Sequence, residues 1–122
     1  MKILVIDDED DIRRISRLAL GRVGGMQVLE AASGIEGIAK AVAESPDAIL
    51  LDVMMPEHDG PETLGFLRAD PRTARIPVIF LTAKAMTAEV ERLRALGADG
   101  VLTKPFDPMS LAASVRAILG MG

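Results

Sequence analysis

The stretch from Ala48 to Pro56, AILLDVMMP, constrains the fold of this chain more than any other. Four apolar residues run without alternation into the carboxylate of Asp52. An unbroken apolar run is typical of a strand that is covered on both faces, as in a parallel sheet. We therefore expect Asp52 at the carboxyl end of a buried strand, where α/β proteins place their functional groups. Taken alone, a helix cap or a solvated turn residue is the simpler interpretation of Asp52.

Composition limits the classes of protein to which the chain can belong. Its 122 residues predict one domain, residues 1–122, and the absence of cysteine excludes disulfides and thiolate metal sites. The net charge of −4 and the lack of a basic stripe argue against direct binding of nucleic acid. No apolar run has membrane-spanning length and no signal peptide is recognisable, so we expect a cytoplasmic protein without membrane contact.

Strand-like and helix-like segments alternate five times along the chain. Ile3–Ile6 and Val78–Leu81 are further unbroken apolar runs, whereas Met26–Ala31 and Gly100–Thr103 are more polar or shorter. Helices are predicted between these strands from apolar residues at helical spacing. The residues expected to face inward are Ile12, Ile15, Ala19, Val23, Ile35, Ile38, Val42, Leu64, Leu67, Val90, Leu93, Leu96, Leu111, Val115, Ile118 and Leu119.

This alternation predicts a single doubly wound α/β domain, with a five-stranded parallel sheet and helices on both faces. The three most apolar strands should be central and the other two should form the edges. The resulting strand order, 2-1-3-4-5, is that of flavodoxin-like domains. In this order the first and third strands are neighbours at the point where ligands bind.

Polar side chains follow four of the predicted strands. They are Asp7 and Asp8 after the first strand, Asp52 after the third, Thr82 after the fourth, and Lys104 with Pro105 after the fifth. A solvated helix start, a cap or a solvated lysine would explain each of them singly. Because the carboxyl ends of parallel strands meet at one edge of a sheet, we expect these residues to gather there.

Three gathered carboxylates predict a cation site. They would repel one another and raise at least one pKa unless a cation joined them. Carboxylate oxygens with room for water suit Mg²⁺, and the backbone carbonyl of Met54 could add a further oxygen ligand. A carboxylate next to Mg²⁺ and a lysine can attack phosphorus and form an aspartyl phosphate. The residues therefore favour phosphoryl chemistry at Asp52.

Four segments in order carry a resemblance to a known family. They are Ile-Asp-Asp-Glu at 6–9, Asp-Val-Met-Met-Pro-Glu-His-Asp-Gly at 52–60, Leu-Thr-Ala-Lys at 81–84 and Thr-Lys-Pro-Phe at 103–106. Over its whole length the sequence resembles a receiver domain of a two-component response regulator, of the kind found in chemotaxis receivers. The resemblance implies a signalling module that takes a phosphoryl group from a sensor histidine kinase or a His-phosphotransfer protein and then controls a downstream protein.

The resemblance also implies a role for each residue at the strand ends. Asp52 would be the phosphoacceptor, Asp7 and Asp8 would hold Mg²⁺ with Asp52 and the Met54 carbonyl, Lys104 would pair with Asp52 or its phosphoryl group, Thr82 would turn its hydroxyl to the phosphoryl group, Ala83 would leave the phosphoryl pocket open, and Pro105 would follow a cis peptide bond.

One position departs from the family pattern. An aromatic residue is often found two positions before the lysine, where this chain has Leu102. We expect Leu102 to repack or stay passive, while Thr82 and the loop before the fourth helix carry the conformational change.

The output surface is expected on the fourth helix, fifth strand and fifth helix of a monomer or a weak phosphorylation-dependent dimer. Arg92, Arg94 and Arg116 are candidate contacts there, although a solvated face is the simpler interpretation of each.

Three other functions share features with this sequence but fit it less well than a non-enzymatic receiver. An aspartyl-phosphate phosphohydrolase of the dehalogenase type would carry a second aspartate where Met54 stands. A flavin-binding module would need a phosphate-cradling loop where Asp7 and Asp8 would repel phosphate. A degenerate receiver that acts only as a scaffold would not need the intact set of site residues. His58, the only histidine, and Asp59 are expected to be solvated loop residues.

Overall fold

The computed structural model describes residues 1–84 and 86–121. Within them, strands and helices alternate as the sequence predicts. The elements are β1 Lys2–Ile6, α1 Asp10–Arg17 with a π-helical continuation Leu18–Val23, β2 Gln27–Ala31, α2 Gly34–Glu44, β3 Ala48–Asp52, α3 Gly60–Ala69, β4 Val78–Thr82, α4 Thr87–Ala95, β5 Gly100–Thr103 and α5 Leu111–Ile118. No helix in the described part of the chain is both long and apolar enough to cross a membrane.

The strands form one parallel sheet in the order β2-β1-β3-β4-β5. The predicted doubly wound, flavodoxin-like fold is confirmed. Every residue of β3 and β4 is buried, whereas β2 and β5 are partly exposed. The apolar runs therefore mark the central strands because only these are covered on both faces and between two neighbours.

Two apolar layers cover the sheet because successive strand residues point to opposite faces. One layer joins alternate strand residues such as Leu51 and Phe80 to α2, α3 and α4. The other joins the intervening residues, such as Leu50 and Leu81, to α1, its π-helical continuation and α5. The two layers are called the α4 layer and the α5 layer below.

The inward face of α1 differs from the prediction. Ile15 and Val23 were predicted to face inward, but they are 39% and 48% exposed. The last turns of this helix are π-helical, which adds a residue to the turn and rotates the face that follows. Ala19 is buried as predicted, and Ser16 and Leu20 are buried beside it. The rotation accounts for Val23, which lies in the π-helical segment, but not for Ile15, which precedes it.

The predicted faces of α2 and α4 also need correction. Ile35 and Leu96 are 58% and 45% exposed rather than inward. The buried face of α2 is formed by small residues, including Gly37, because the side chain of Ile6 occupies the space where a Cβ at Gly37 would lie. Among the other residues predicted inward, Leu64, Leu67, Leu93, Leu111 and Val115 are fully or almost fully buried, as expected.

Candidate functional site

Lys104 lies at the centre of an acidic pocket at the carboxyl ends of β1, β3 and β5. Its Nζ is 3.0 Å from Asp7 Oδ2, 3.1 Å from Asp52 Oδ1 and 3.6 Å from Glu9 Oε1. The contact with Asp52 has the geometry of a hydrogen bond. The structure thus brings together Asp7, Asp52 and Lys104, which sequence analysis placed at separate strand ends.

Strand geometry explains why these side chains meet. The residues two positions earlier are Val5, Leu50 and Leu102, and all three pack in the α5 layer. Because side chains alternate along a strand, the two aspartates and the lysine point toward that same layer. Thr82 follows Phe80 by two residues and therefore points toward the α4 layer. The hydroxyl and the lysine thus approach the site from opposite sides of the sheet.

Burial controls the charge state of the two aspartates. Asp7 and Asp52 are only 1% and 4% exposed. Burial, followed by repulsion from Asp7, raises the pKa of Asp52 to about 6, against the opposing effect of Lys104. Burial also raises the pKa of Asp7, although the Glu9 N–H and Lys104 oppose this. Crowding of carboxylates was expected to raise a pKa, but burial is the larger cause.

The acidic pocket has the donor set of a divalent cation site. Asp7, Asp8 and Asp52 each place a carboxylate oxygen within 4.8 Å of the others. Asp52 Oδ2 is buried and lacks a hydrogen-bond partner within the described residues. Asp8 is exposed, which leaves one side of the group open to water. An oxygen-only, partly hydrated group of this kind suits Mg²⁺.

Thr82 lies beside a second feature, a pocket of about 260 Å³ between the loops after β3 and β4. Thr82 is 2% exposed, and its Oγ1 accepts a hydrogen bond from the Lys84 N–H at 3.1 Å. The pocket is lined by Val53, Met54, Asp59, Pro61, Thr82, Ala83, Lys84, Glu89 and Arg92. The structure therefore places Thr82 and Ala83 at an open pocket next to the end of β3.

The backbone around the site contains one close approach that sequence analysis did not identify. The Gly60 N–H donates to the Val53 carbonyl at 2.9 Å. A Cβ at Gly60 would lie 2.5 Å from the Asp52 carbonyl oxygen and 2.9 Å from Val53 Cα. Gly60 thus lets α3 begin directly against the strand end that carries the phosphoacceptor candidate. Its position just before Pro61, at the start of an apolar helical pattern, was the available signal.

Other loop residues near the site have structural partners. The side chain of Asp59 caps α3 by accepting the Glu62 N–H at 2.9 Å, so the expectation of a solvated loop residue was wrong for Asp59. His58 Nδ1 lies 3.5 Å from Glu62 Oε2, and its ring packs edge-on against Phe66 at 5.6 Å. The Lys104–Pro105 peptide bond is cis.

Leu102 is not on the face of the sheet toward which Thr82 points, so it does not stand where a switch aromatic would pack beside Thr82. Its side chain packs in the α5 layer, whereas Val101 packs in the α4 layer. Thr82 points toward the α4 layer, so Leu102 lies on the opposite face of the sheet. The β5 residue that shares a layer with Thr82 and α4 is Val101.

The three arginines considered as output contacts differ in their surroundings. Arg92 makes hydrogen bonds of 3.2 and 2.8 Å to Glu89, one helical turn away. Arg116 donates to the backbone carbonyl of Gly24, at the end of the π-helical segment, and so ties α5 to α1. Arg94 is exposed on α4. Arg116 therefore has a structural role that the sequence did not indicate.

A flavodoxin-like sheet with three aspartates, a threonine and a lysine at its carboxyl edge is the arrangement that the sequence resemblance to receiver domains implies. The family model of the response regulator receiver domain matches residues 3–116. The chain therefore belongs to the response regulator receiver domain family.

Similar proteins and structures agree with this assignment. Chemotaxis protein CheY1 of Helicobacter pylori is 37% identical over 121 residues, which cover 98% of each chain. The DNA-binding dual master transcriptional regulator RpaA of Synechocystis is 43% identical over 97% of this chain. The chain spans only 48% of that relative's length. The structure of chemotaxis response regulator CheY4 of Vibrio cholerae superposes with a TM-score of 0.88 at 32% identity, over 96% of this chain and 97% of that one.

Proposed function

We propose that Asp52 is the phosphoacceptor of this receiver domain, which we place within residues 1–122. The observation that carries the proposal is the difference in hydrogen bonding between the two oxygens of its carboxylate. One oxygen is held by Lys104 at 3.1 Å, while the other is buried without a hydrogen-bond partner among the described residues. A nucleophile needs a free oxygen in a fixed direction, and this arrangement provides one.

The reaction is a transfer of the phosphoryl group from a histidine to a carboxylate. The free oxygen of Asp52 forms a bond to phosphorus while the P–N bond to the donor imidazole breaks, and the imidazole leaves with the bonding electrons. Asp7, Asp8 and Asp52 would hold Mg²⁺ with the Met54 carbonyl, and the ion would offset charge on the phosphoryl oxygens. Lys104 can pair with a phosphoryl oxygen from the position it already holds.

Thr82 supports a conformational response. Its hydroxyl oxygen now accepts the Lys84 N–H at 3.1 Å. A turn toward a phosphoryl oxygen would replace that neutral bond by a charge-assisted one worth about 1.5–3 kcal/mol. The neutral bond that is lost is worth about 0.5–1.5 kcal/mol, so the net gain is on the order of 1 kcal/mol, which shifts an equilibrium between two states roughly fivefold. Because α4 begins at Thr87, the turn of Thr82 acts first on the start of α4.

The partners follow from the same proposal. The phosphodonor is a sensor histidine kinase or a His-phosphotransfer protein, and the surface of α4, β5 and α5 contacts a downstream protein. The net charge of −4 disfavours nucleic acid as a direct partner of this domain. The chain would act in the cytoplasm as a monomer or a weak phosphorylation-dependent dimer. It is not an enzyme for an external substrate, although it would promote its own phosphorylation and dephosphorylation.

Intact mass after incubation with Mg²⁺ and a small phosphodonor tests the proposal. Wild type should gain one phosphoryl group, and Asp52→Asn should gain none. Asp11→Asn, which changes an exposed aspartate of α1 that has only a 4.0 Å contact with Arg14, should behave as wild type. A mass gain that survives Asp52→Asn would defeat the assignment of Asp52. Multiple-turnover release of inorganic phosphate at the rate of a true hydrolase would favour the phosphohydrolase instead.

A further inference from the structure

The guanidinium of Arg68, near the end of α3, joins two loops at the edge of the sheet opposite the acidic pocket. Its Nη1 donates to the carbonyls of Ala74 and Ile76 at 3.2 and 2.6 Å, in the loop that leads into β4. Its Nη2 donates to the Gly97 carbonyl at 3.1 Å and to Asp99 Oδ2 at 3.2 Å, in the loop that follows α4. One side chain therefore joins the segment that precedes β4 to the segment that follows α4.

Asp99 extends this contact into the sheet. Its Oδ2 also accepts the Val78 N–H at 2.8 Å, and its own N–H donates to the Val78 carbonyl at 2.8 Å. Val78 is the first residue of β4. The segment after α4 is thus tied both to α3, through Arg68, and to the start of β4. Arg68 and Asp99 with these bonds are called the anchor below.

The opposite end of α4 is held much less firmly. Its N-cap residue, Met86, makes no side-chain capping bond within the described residues and is 74% exposed. Thr87 and Ala88 are also exposed. The one fully buried residue of the described helix is Leu93, which lies in its last turn. Packing and hydrogen bonds therefore concentrate at the end of α4 that is remote from Thr82.

We propose that α4 pivots about the anchor when Asp52 is phosphorylated. The start of the helix, residues 87–91, would move with the loop after Thr82, and residues 93–97 would stay in place. Arg68 is then a positioning residue that confines the response to one half of α4, since it touches neither the phosphoryl group nor the acidic pocket. This inference rests on the proposed function of Asp52.

Backbone amide chemical shifts of the full chain, with Mg²⁺ and with or without beryllofluoride as a phosphoryl mimic, test the pivot. In wild type, the mimic should change the shifts of residues 87–91 and leave those of 93–97 nearly unchanged. In Arg68→Met, the changes should extend through 93–97. The Gly97 N–H, which donates to the Arg94 carbonyl at 3.0 Å, should also exchange with solvent about tenfold faster, the expected effect of losing a charge-assisted bond.

Three further variants separate a pivot from a general loss of stability. Arg72→Met is the matched control. Arg72 lies in the loop before β4 that Arg68 contacts, but its guanidinium pairs with Asp70 at 2.8 Å on the surface and not with the anchor. It should keep the wild-type pattern. Asp99→Asn weakens the anchor while retaining an acceptor for Val78, so it reports the pivot even if Arg68→Met folds poorly. Arg68→Lys should restore part of the wild-type pattern.

The outcomes distinguish the pivot from the proposed function. Shift changes spread evenly along α4 in wild type, or a pattern that Arg68→Met and Asp99→Asn leave unaltered, would overturn the pivot but leave Asp52 as phosphoacceptor. The initial rate of phosphorylation by a small phosphodonor should be the same in wild type and Arg68→Met. The absence of any response to beryllofluoride in wild type would overturn both.

Discussion

Lys104 Nζ lies 3.1 Å from Asp52 Oδ1, and this ion pair joins two strands, β3 and β5, that are separated in the sheet by β4. Both side chains are nearly buried, with 14% and 4% of their surfaces exposed. The lysine also lies 3.0 Å from Asp7 Oδ2, so it offsets two carboxylates that would otherwise repel each other. A cation or a phosphoryl group that enters the pocket changes this balance directly.

Lys104→Met should lower the stability of the metal-free protein. Methionine keeps the length of the side chain but leaves Asp7 and Asp52 buried without a positive charge. Removal of one partner from a buried pair costs about 3 kcal/mol at the low end of the usual range. Urea unfolding in a chelating buffer measures the difference. Lys84→Met, which changes an exposed lysine beside the same site, should change stability by less than about 0.5 kcal/mol.

Added Mg²⁺ should narrow the gap between wild type and Lys104→Met. The ion would bind the carboxylates that the lysine no longer neutralises, and binding to the folded state alone raises its stability. An equal loss of stability with and without Mg²⁺ would show that the lysine acts through packing rather than through charge.

The pH dependence of stability should identify Asp52 in the metal-free protein. A pKa of about 6 in the folded state, against 3.8 as the ordinary value, means that the folded chain binds this proton more tightly. The contribution of Asp52 to stability is therefore fully present below pH 3.8 and is lost as the pH rises through about 6, a change of about 3 kcal/mol. Asp52→Asn removes the titrating group.

The variant Asp52→Asn should thus be more stable than wild type well above pH 6 in chelator, and similar to it at the acidic end of the range. Urea unfolding at both pH values measures this. Asp11→Asn, at an exposed position, should show no such difference. A stability difference between wild type and Asp52→Asn that does not change with pH would assign the effect to packing.

Much of the fold was predictable because a strand that is buried on both faces has an unbroken apolar sequence. β3 and β4 are buried at every residue, and their sequences are unbroken apolar runs. Their central position, the order of the strands and the meeting of polar groups at one sheet edge all follow from that. The presence of Asp52 and Lys104 at the same sheet edge was expected because the carboxyl ends of parallel strands lie together, whereas their pairing was implied by the resemblance to receiver domains.

The remaining features depend on contacts that spacing does not encode. The π-helical turn moves Val23 out of the core, and no single residue near it indicates the change. The buried face of α2 is made of small residues, so an apolar pattern points to Ile35 instead. Side chains alternate along β5, so either Val101 or Leu102 must face the α4 layer. Which of the two does so is known only once the register of β5 against β4 is known.

Gly60→Ala should disturb the site more than an ordinary glycine substitution. The new Cβ would lie 2.5 Å from the Asp52 carbonyl oxygen, and backbone atoms there cannot move aside without shifting β3 or α3. We expect a loss of about 2–3 kcal/mol, as for overpacked cores, and slower phosphorylation of Asp52. Urea unfolding and intact mass measure the two effects.

Gly65→Ala is the matched control, because it changes a glycine of the same helix. A Cβ at Gly65 meets nothing within 4 Å in the described part of the structure. Alanine is favoured over glycine inside a helix by about 1 kcal/mol, so this variant should be more stable than wild type and phosphorylate normally. Equal losses in the two variants would contradict the close approach at Gly60.

Val101→Ala and Leu102→Ala should separate the two faces of β5. Val101 is paired with Phe80 in register and packs in the α4 layer, on the side toward which Thr82 points. Leu102 packs in the α5 layer and borders a hollow with Leu111 at the start of α5. Each truncation should cost about 1–2 kcal/mol, since both side chains are partly buried.

Beryllofluoride-induced amide shifts in α4 provide the discriminating measurement for these two variants. Val101→Ala should alter them, because it leaves space in the layer through which Thr82 reaches α4. Leu102→Ala should leave them unchanged and should instead perturb amides of α5. If Leu102→Ala alone altered the response in α4, coupling would have to cross the sheet. Because Val101 packs in the same layer as α4, on the side toward which Thr82 points, Val101 is the β5 residue expected to respond with Thr82.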